Sequence, residues 1–129
     1  MNVKVSTSSE TKYDQIIMDT ARNIIWQGGQ VVVCGRTASG RTTLARYLAA
    51  TTGATVLDEM LRPTEVGAHP AASVVVMHSE RISVTQKLAL FGINPDMVIY
   101  VRRGTTWGGY SQEDPQLEVV TERTRTSLV

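Results

Sequence analysis

Short apolar runs alternate along the chain with segments whose apolar residues recur at helical spacing. The runs span 30–34, 54–57, 73–77 and 97–101, and their unbroken apolar, often β-branched composition is typical of parallel strands covered on both faces. The helical segments span 11–26, 41–52 and 82–91, with apolar residues three and four positions apart. Gly28, Gly53 and Gly92 follow these segments, where a helix C-cap is expected. The pattern predicts an α/β fold with a mainly parallel sheet of four to five strands flanked by helices.

The periodicity also predicts which helix positions face the sheet. In the first helix Ile16 and Ile24 fall on the apolar face and Arg22 on the polar face, whereas Ile82 and Leu88 lie on the apolar face of the third. A further short strand is expected over 117–120. We therefore predict a flexible leader over 1–10, one domain over 11–104 and a partly ordered C-terminal extension over 105–129.

Composition narrows the class of protein. The 129 residues are 42% hydrophobic and 19% charged, with a formal net charge of +1, as in an ordinary globular domain without a strong nucleic-acid signal. The single cysteine, Cys34, excludes an internal disulfide and favours a reducing compartment. The first ten residues have no apolar core, and no apolar run is as long as a membrane span. A cytoplasmic protein is expected.

The stretch QVVVCGRTASGRTTL, residues 30–44, carries the strongest chemical signal. An apolar strand enters a glycine, and a second glycine precedes a basic residue, two threonines and a helix. This order matches the phosphate loop GxxxxGK[ST], in which backbone N–H groups and a helix N-terminus bind phosphate oxygens. The predicted nucleotide-binding residues are Gly35, Arg36, Thr37, Ala38, Ser39, Gly40, Arg41, Thr42 and Thr43.

One position departs from that motif. Arg41 stands where the motif has lysine, and a planar, forked guanidinium does not replace a compact ammonium under the loop. Binding of a phosphate group is therefore expected to be easier than its hydrolysis.

Polar residues at the ends of other predicted strands supply candidate metal and catalytic groups. The Thr42 hydroxyl and Asp58 are candidate Mg²⁺ ligands, and Glu59 and Glu80 are candidate catalytic carboxylates. The sequence does not decide which carboxylate lies nearest the loop. Arg102 either senses phosphate or keeps a strand end soluble.

Segments beyond the loop extend a family resemblance. Together with VVVCGRTASGRTTLARYL, the segments VLDEM, AHPAASVVVMHS and FGINPDMVIYVRRG resemble the core of the traffic ATPases of type II secretion, type IV secretion and conjugation, over about residues 21–104. The resemblance implies a P-loop NTPase three-layer sandwich, ATP with Mg²⁺, and self-association or a protein partner. Arg41, the absence of a glutamate in MVIYVRR and the missing histidine-rich segment depart from the family pattern. They imply weak or lost hydrolysis.

Two other functions stay open. PDMVIYVRR also resembles the late strand of nucleoside and nucleotide kinases, which implies a small phosphotransferase. A non-catalytic interaction or regulatory module on a degenerate P-loop fold is the third reading.

Overall fold

The structure, a computed structural model, describes residues 13–58, 72–102, 105–106, 109–110 and 115–123. Three α-helices lie in these ranges: α1 (Gln15–Trp26), α2 (Arg41–Thr52) and α3 (Val84–Phe91), with a 3₁₀ turn at Arg81–Ser83 immediately before α3. The strands are β1 (Gln30–Gly35), β2 (Thr55–Asp58), β3 (Ser73–His78), β4 (Met97–Arg102), β5 (Thr105–Thr106), β6 (Gly109–Tyr110) and β7 (Gln116–Glu122).

Five of these strands form one sheet in the order β2-β3-β1-β4-β7. The first four are parallel, which confirms the predicted mainly parallel α/β sheet. The fifth, β7, contains the strand expected over 117–120 and runs antiparallel to β4, so the sheet is mixed. Strand β1 lies in the centre, paired with β3 on one side and β4 on the other.

Alternate residues of the central strands build two cores, one on each face of the sheet. Val31, Val33 and Val74 pack with α1 and α2 through Ala21, Leu44 and Leu48. Val32, Val75 and Tyr100 pack on the other face with Val84 and Leu88 of α3. Because both faces are covered, β1 is buried along its whole length. Its carboxyl end therefore fixes the position of the loop that connects β1 to α2.

Helix α1 begins at a later residue than the periodicity predicts, and a different set of its side chains is buried. The Asp14 carboxylate accepts hydrogen bonds from the N–H groups of Ile16 and Ile17, at 3.0 and 3.2 Å, and so fixes the start of the helix. Ile16 in this first turn is 78% exposed, and the prediction that it is inward is wrong. Arg22, predicted outward, is buried, because its guanidinium donates to Thr51 of α2 at 2.9 Å and to Asp19 at 3.0 Å.

Helix α3 also starts later than predicted. Residues 81–83 form a 3₁₀ turn, whose side chains do not follow the α-helical period. Ile82 is therefore 88% exposed rather than inward, whereas Val84 and Leu88, four residues apart, are the buried pair. The predicted inward position of Leu88 is confirmed.

Candidate phosphate-binding site

The loop between β1 and α2 has left-handed backbone at two positions, of which only the non-glycine one is strained. Gly40, the N-cap of α2, has φ 95°, and Ala38 has φ 65°, in the left-handed region that non-glycine residues rarely adopt. The Ser39 N–H donates to the Arg36 carbonyl at 3.1 Å, which closes a turn over residues 36–39. The N-cap residue of α2, Gly40, has no side chain that could accept hydrogen bonds from the first N–H groups of this helix. These N–H groups therefore remain available to an anion, as the sequence predicts for a phosphate loop.

Gly35 is required by a close approach rather than by its φ angle. A Cβ at this position would lie 2.4 Å from the Ser39 Oγ and 2.9 Å from the Val101 carbonyl oxygen of β4. Only a residue without a side chain lets the loop fold back over the end of the sheet.

Two polar atoms in this loop are buried without a hydrogen-bond partner in the described part of the chain. They are the Ser39 Oγ and the Arg41 Nε. The tip of the Arg41 guanidinium has a partner, since Nη1 donates to the Arg36 carbonyl at 2.7 Å. Burying an unpaired polar group costs on the order of 1–3 kcal/mol. Such groups are rare in native structures and need an explanation, and a water molecule or an ion that completes the bonding is one.

The strand order decides which of the described carboxylates lies beside the loop. Strand β3 pairs directly with β1, and the N–H of Ser79, just beyond β3, bonds the Gly35 carbonyl at 3.0 Å. The next residue, Glu80, forms an ion pair with Arg36 of the loop at 3.3 Å. Glu80 is therefore the candidate that the fold brings to the phosphate loop.

Asp58 is placed further away. It ends β2, which pairs with β3 and not with β1, so two strand spacings, about 10 Å, separate it from the loop strand. Glu59 lies outside the described residues. Within the described ranges, no group of three or more His, Cys, Asp or Glu side chains could hold a metal ion. The roles of Thr42 and Asp58 toward Mg²⁺ stay predictions.

A second polar cluster lies at the same edge of the sheet and was not recognised from the sequence. The carboxylate of Glu118 on β7 accepts hydrogen bonds from Nε of Arg81 and Nη2 of Arg102, both at 2.9 Å, and Nη2 of Arg81 lies in an ion pair 2.9 Å from the oxygen that Nε contacts. We call these three residues the Glu118 cluster. Glu118 is opposite Tyr100 in the β4–β7 register, so the cluster lies on the α3 face. Arg81 and Glu118 are 37 positions apart in the chain, and this contact leaves no local sequence signal.

Hydrogen bonds from Arg102, and then from Arg81, hold the pKa of Glu118 below its usual range. A depressed carboxyl pKa contributes stability that is present above the unfolded-state pKa and is lost as the pH falls through the folded-state pKa. We expect Glu118→Gln to lower the free energy of unfolding by up to about 1 kcal/mol near neutral pH, since the pairs are exposed. Urea unfolding of both proteins at about pH 7 and about pH 3 measures this. The difference should shrink at the lower pH, and a difference that grows on acidification would contradict the assignment.

Cys34 lies directly below the loop on β1. Burial raises the pKa of its thiol to about 12, although nearby Arg81, Arg41 and Lys87 act in the opposite direction. The thiol lies 3.5 Å from the Ile99 carbonyl oxygen, a weak hydrogen bond. It is a core group and not an activated nucleophile.

Comparison with known proteins adds no relative. No protein-family model, curated protein or solved structure matches the chain. Within the described residues, no helix is long and apolar enough to cross a membrane.

Proposed function

We propose that this chain binds a nucleotide, with ATP as the expected ligand, through its phosphates at residues 35–42. One observation carries the proposal: within the described part of the chain, the Ser39 Oγ and the Arg41 Nε are buried without hydrogen-bond partners in a glycine-containing loop. That loop joins a buried central strand to an uncapped helix N-terminus. Buried donors, free N–H groups and the helix dipole all favour a multiply charged anion.

Each loop residue has a part in the proposed site. Gly35 and Gly40 allow the backbone to turn around the phosphates, and the first N–H groups of α2 donate to them. Arg41 supplies the main positive charge after its Nη1 leaves the Arg36 carbonyl. Thr42, in the first turn of α2, offers its hydroxyl to the Mg²⁺ that accompanies the nucleotide. The cation supplies charge neutralisation between the phosphates.

The same geometry favours binding without efficient hydrolysis. Glu80 pairs with Arg36 at 3.3 Å, but both side chains are exposed, so this contact is a weak obstacle to orienting a water molecule. Arg41 cannot place a compact ammonium between the phosphates. The expected activity is thus that of a nucleotide-responsive protein of the kind the traffic-ATPase resemblance implies, with slow turnover.

Titration calorimetry with Mg-ATP tests the proposal. We expect saturable binding in the wild type, and Arg41→Ala should weaken it about tenfold because a charge-assisted contact is lost. Thr42→Ala should weaken binding with Mg²⁺ present more than binding in chelator, since its hydroxyl acts on the cation. Arg46→Ala is the matched control, because Arg46 is an exposed arginine on the same helix.

Two outcomes would count against this function. The absence of binding at millimolar nucleotide would remove it. Equal losses in Arg41→Ala and Arg46→Ala would show that only general charge matters. Measuring ADP release from the wild type and from Arg41→Lys then separates binding from turnover, and a large gain in Arg41→Lys would show that Arg41 limits hydrolysis.

A further inference from the structure

The Glu118 cluster is built in a way that stability does not explain. Exposed ion pairs contribute little to folding, yet one carboxylate here orients two guanidinium groups from two different elements. Arg81 belongs to the 3₁₀ turn before α3, and Arg102 ends β4. The Arg102 guanidinium also makes a cation–π contact, with its carbon 5.2 Å from the centre of the Tyr100 ring. Both arginines are fixed in position and remain accessible.

The two arginines keep donors for another molecule. The side chains of Arg81 and Arg102 are 40% and 54% exposed, so both are accessible to solvent. A guanidinium has five N–H donors. Glu118 takes Nε and Nη2 of Arg81 and only Nη2 of Arg102. The three residues together carry one net positive charge and, among the described residues, Glu118 leaves several donors of the two forks unused, which suits an oxyanion.

The position of the cluster places it beside the loop. Gly35 of β1 is the register partner of Val101 of β4, so Arg36 and Arg102 leave the sheet on neighbouring strands. Arg81 directly follows Glu80, which pairs with Arg36. Arg41, Arg81 and Lys87 all act on the Cys34 thiol beneath this edge. In open α/β sheets, ligands bind at the carboxyl ends of the strands, and the cluster occupies that end on the α3 face.

We propose that Arg81 and Arg102, oriented by Glu118, form a second oxyanion site that binds the phosphate group of a small phosphomonoester next to the loop. The site is distinct from residues 35–42 and does not require that the loop bind a nucleotide. If the loop does bind one, the chain holds two phosphorylated small molecules at one sheet edge. Glu118 is then a positioning residue, since it acts through the two arginines.

Inorganic phosphate is the probe for this site. In a ¹⁵N-labelled full chain, the Nε–Hε signals of Arg81 and Arg102 should shift saturably with added phosphate at constant ionic strength, and not with chloride. Arg102→Gln should weaken the phosphate dependence of the Arg81 signal about tenfold, because one charged partner is lost. Arg102→Lys keeps the charge but not the fork and should restore only part of it. Arg46→Gln is the matched control.

The role of Glu118 has its own readout. Glu118→Gln should weaken phosphate binding several-fold while broadening the Arg81 and Arg102 signals, because the forks lose their common acceptor. The proposal would be overturned if the Arg81 and Arg102 signals shifted equally with phosphate and with chloride. It would also be overturned if the phosphate-dependent shift of the Arg81 signal were the same in Arg102→Gln as in the wild type. Unchanged or tighter phosphate binding in Glu118→Gln would overturn the positioning role.

The two proposals fail separately. Mg-ATP binding at the loop is read from the backbone amides of Gly40 and Thr42 in the same samples. If the loop amides shift with Mg-ATP but the arginine signals do not shift with phosphate, only the proposal of the second site is contradicted. If the arginine signals shift with phosphate but the loop amides do not shift with Mg-ATP, only the proposal of the nucleotide site is contradicted. A phosphopeptide or an RNA that competes far better than a phosphomonoester such as phenyl phosphate would overturn the small-molecule assignment.

Discussion

Gly35→Ala is expected to lower the free energy of unfolding by about 2–3 kcal/mol, as overpacking in a closed site does. The added methyl would lie 2.4 Å from the Ser39 Oγ and 2.9 Å from the Val101 carbonyl oxygen. Neither neighbour can yield easily, because Ser39 has a short, buried side chain and Val101 lies in the ladder between β4 and β1. Either the loop or the β1–β4 pairing must move. Mg-ATP affinity should therefore fall together with stability.

Urea unfolding and Mg-ATP titration of the same variant measure both effects. Gly53→Ala is the matched control: its φ is +78° but a Cβ would meet nothing within 4 Å. Left-handed strain alone should cost about 1 kcal/mol there, and nucleotide affinity should be kept. Adding Ser39→Gly to Gly35→Ala should restore part of the stability, since one of the two clashes disappears. A Gly35→Ala protein as stable as the wild type would show that the loop is not folded against β4.

Leu48→Ala is expected to cost about 3 kcal/mol of unfolding free energy, within the range for emptied core positions. Leu48 is 0% exposed and packs in the core between α2, α1 and the sheet. Its loss leaves a cavity beneath the helix whose N-terminus forms the proposed phosphate site.

Leu90→Ala supplies the comparison, because Leu90 on α3 is 80% exposed. The same chemical change should alter stability there by no more than about 0.5 kcal/mol. Denaturant unfolding followed by circular dichroism gives both values. Equal costs for the two variants would mean that α2 is not docked on the sheet as described.

The sequence predicts the part of the site that is local along the chain. Strand, loop and helix follow one another over residues 30–52, and each has its own pattern: an apolar run, two glycines and a helical period. Strand β1 and helix α2 were therefore predicted correctly. Gly35 and Gly40 were also selected correctly as special positions, although the reason at Gly35, its contact with β4, involves a residue far along the chain.

The contacts of the site that depend on the order of strands in the sheet could not be predicted from the sequence. Asp58, Glu59 and Glu80 all follow predicted strands, and only the pairing of β3 with β1 brings Glu80 to the loop. The antiparallel pairing of β7, which creates the Glu118 cluster, likewise has no local signature.

The buried faces were predicted less well where a polar residue has a distant partner. Arg22 reads as a surface residue from its charge, but Thr51 on the neighbouring helix accepts its hydrogen bond. Ile82 is predicted to be buried because its side chain is apolar, but it lies in a 3₁₀ turn that directs this side chain to solvent. Periodicity alone contains neither piece of information.

The burial of Cys34 gives the protein an internal reporter of its own opening. A buried thiol with a pKa of about 12 in the central strand reacts with alkylating reagents only after the packing around β1 opens, either at α3 or at the neighbouring strands. When reclosing is fast, the rate of modification measures how often the centre of the sheet is open. A ligand that binds the closed loop must slow that reaction by mass action. The alkylation rate of a single natural cysteine can thus rank candidate ligands without a label or an assay for turnover.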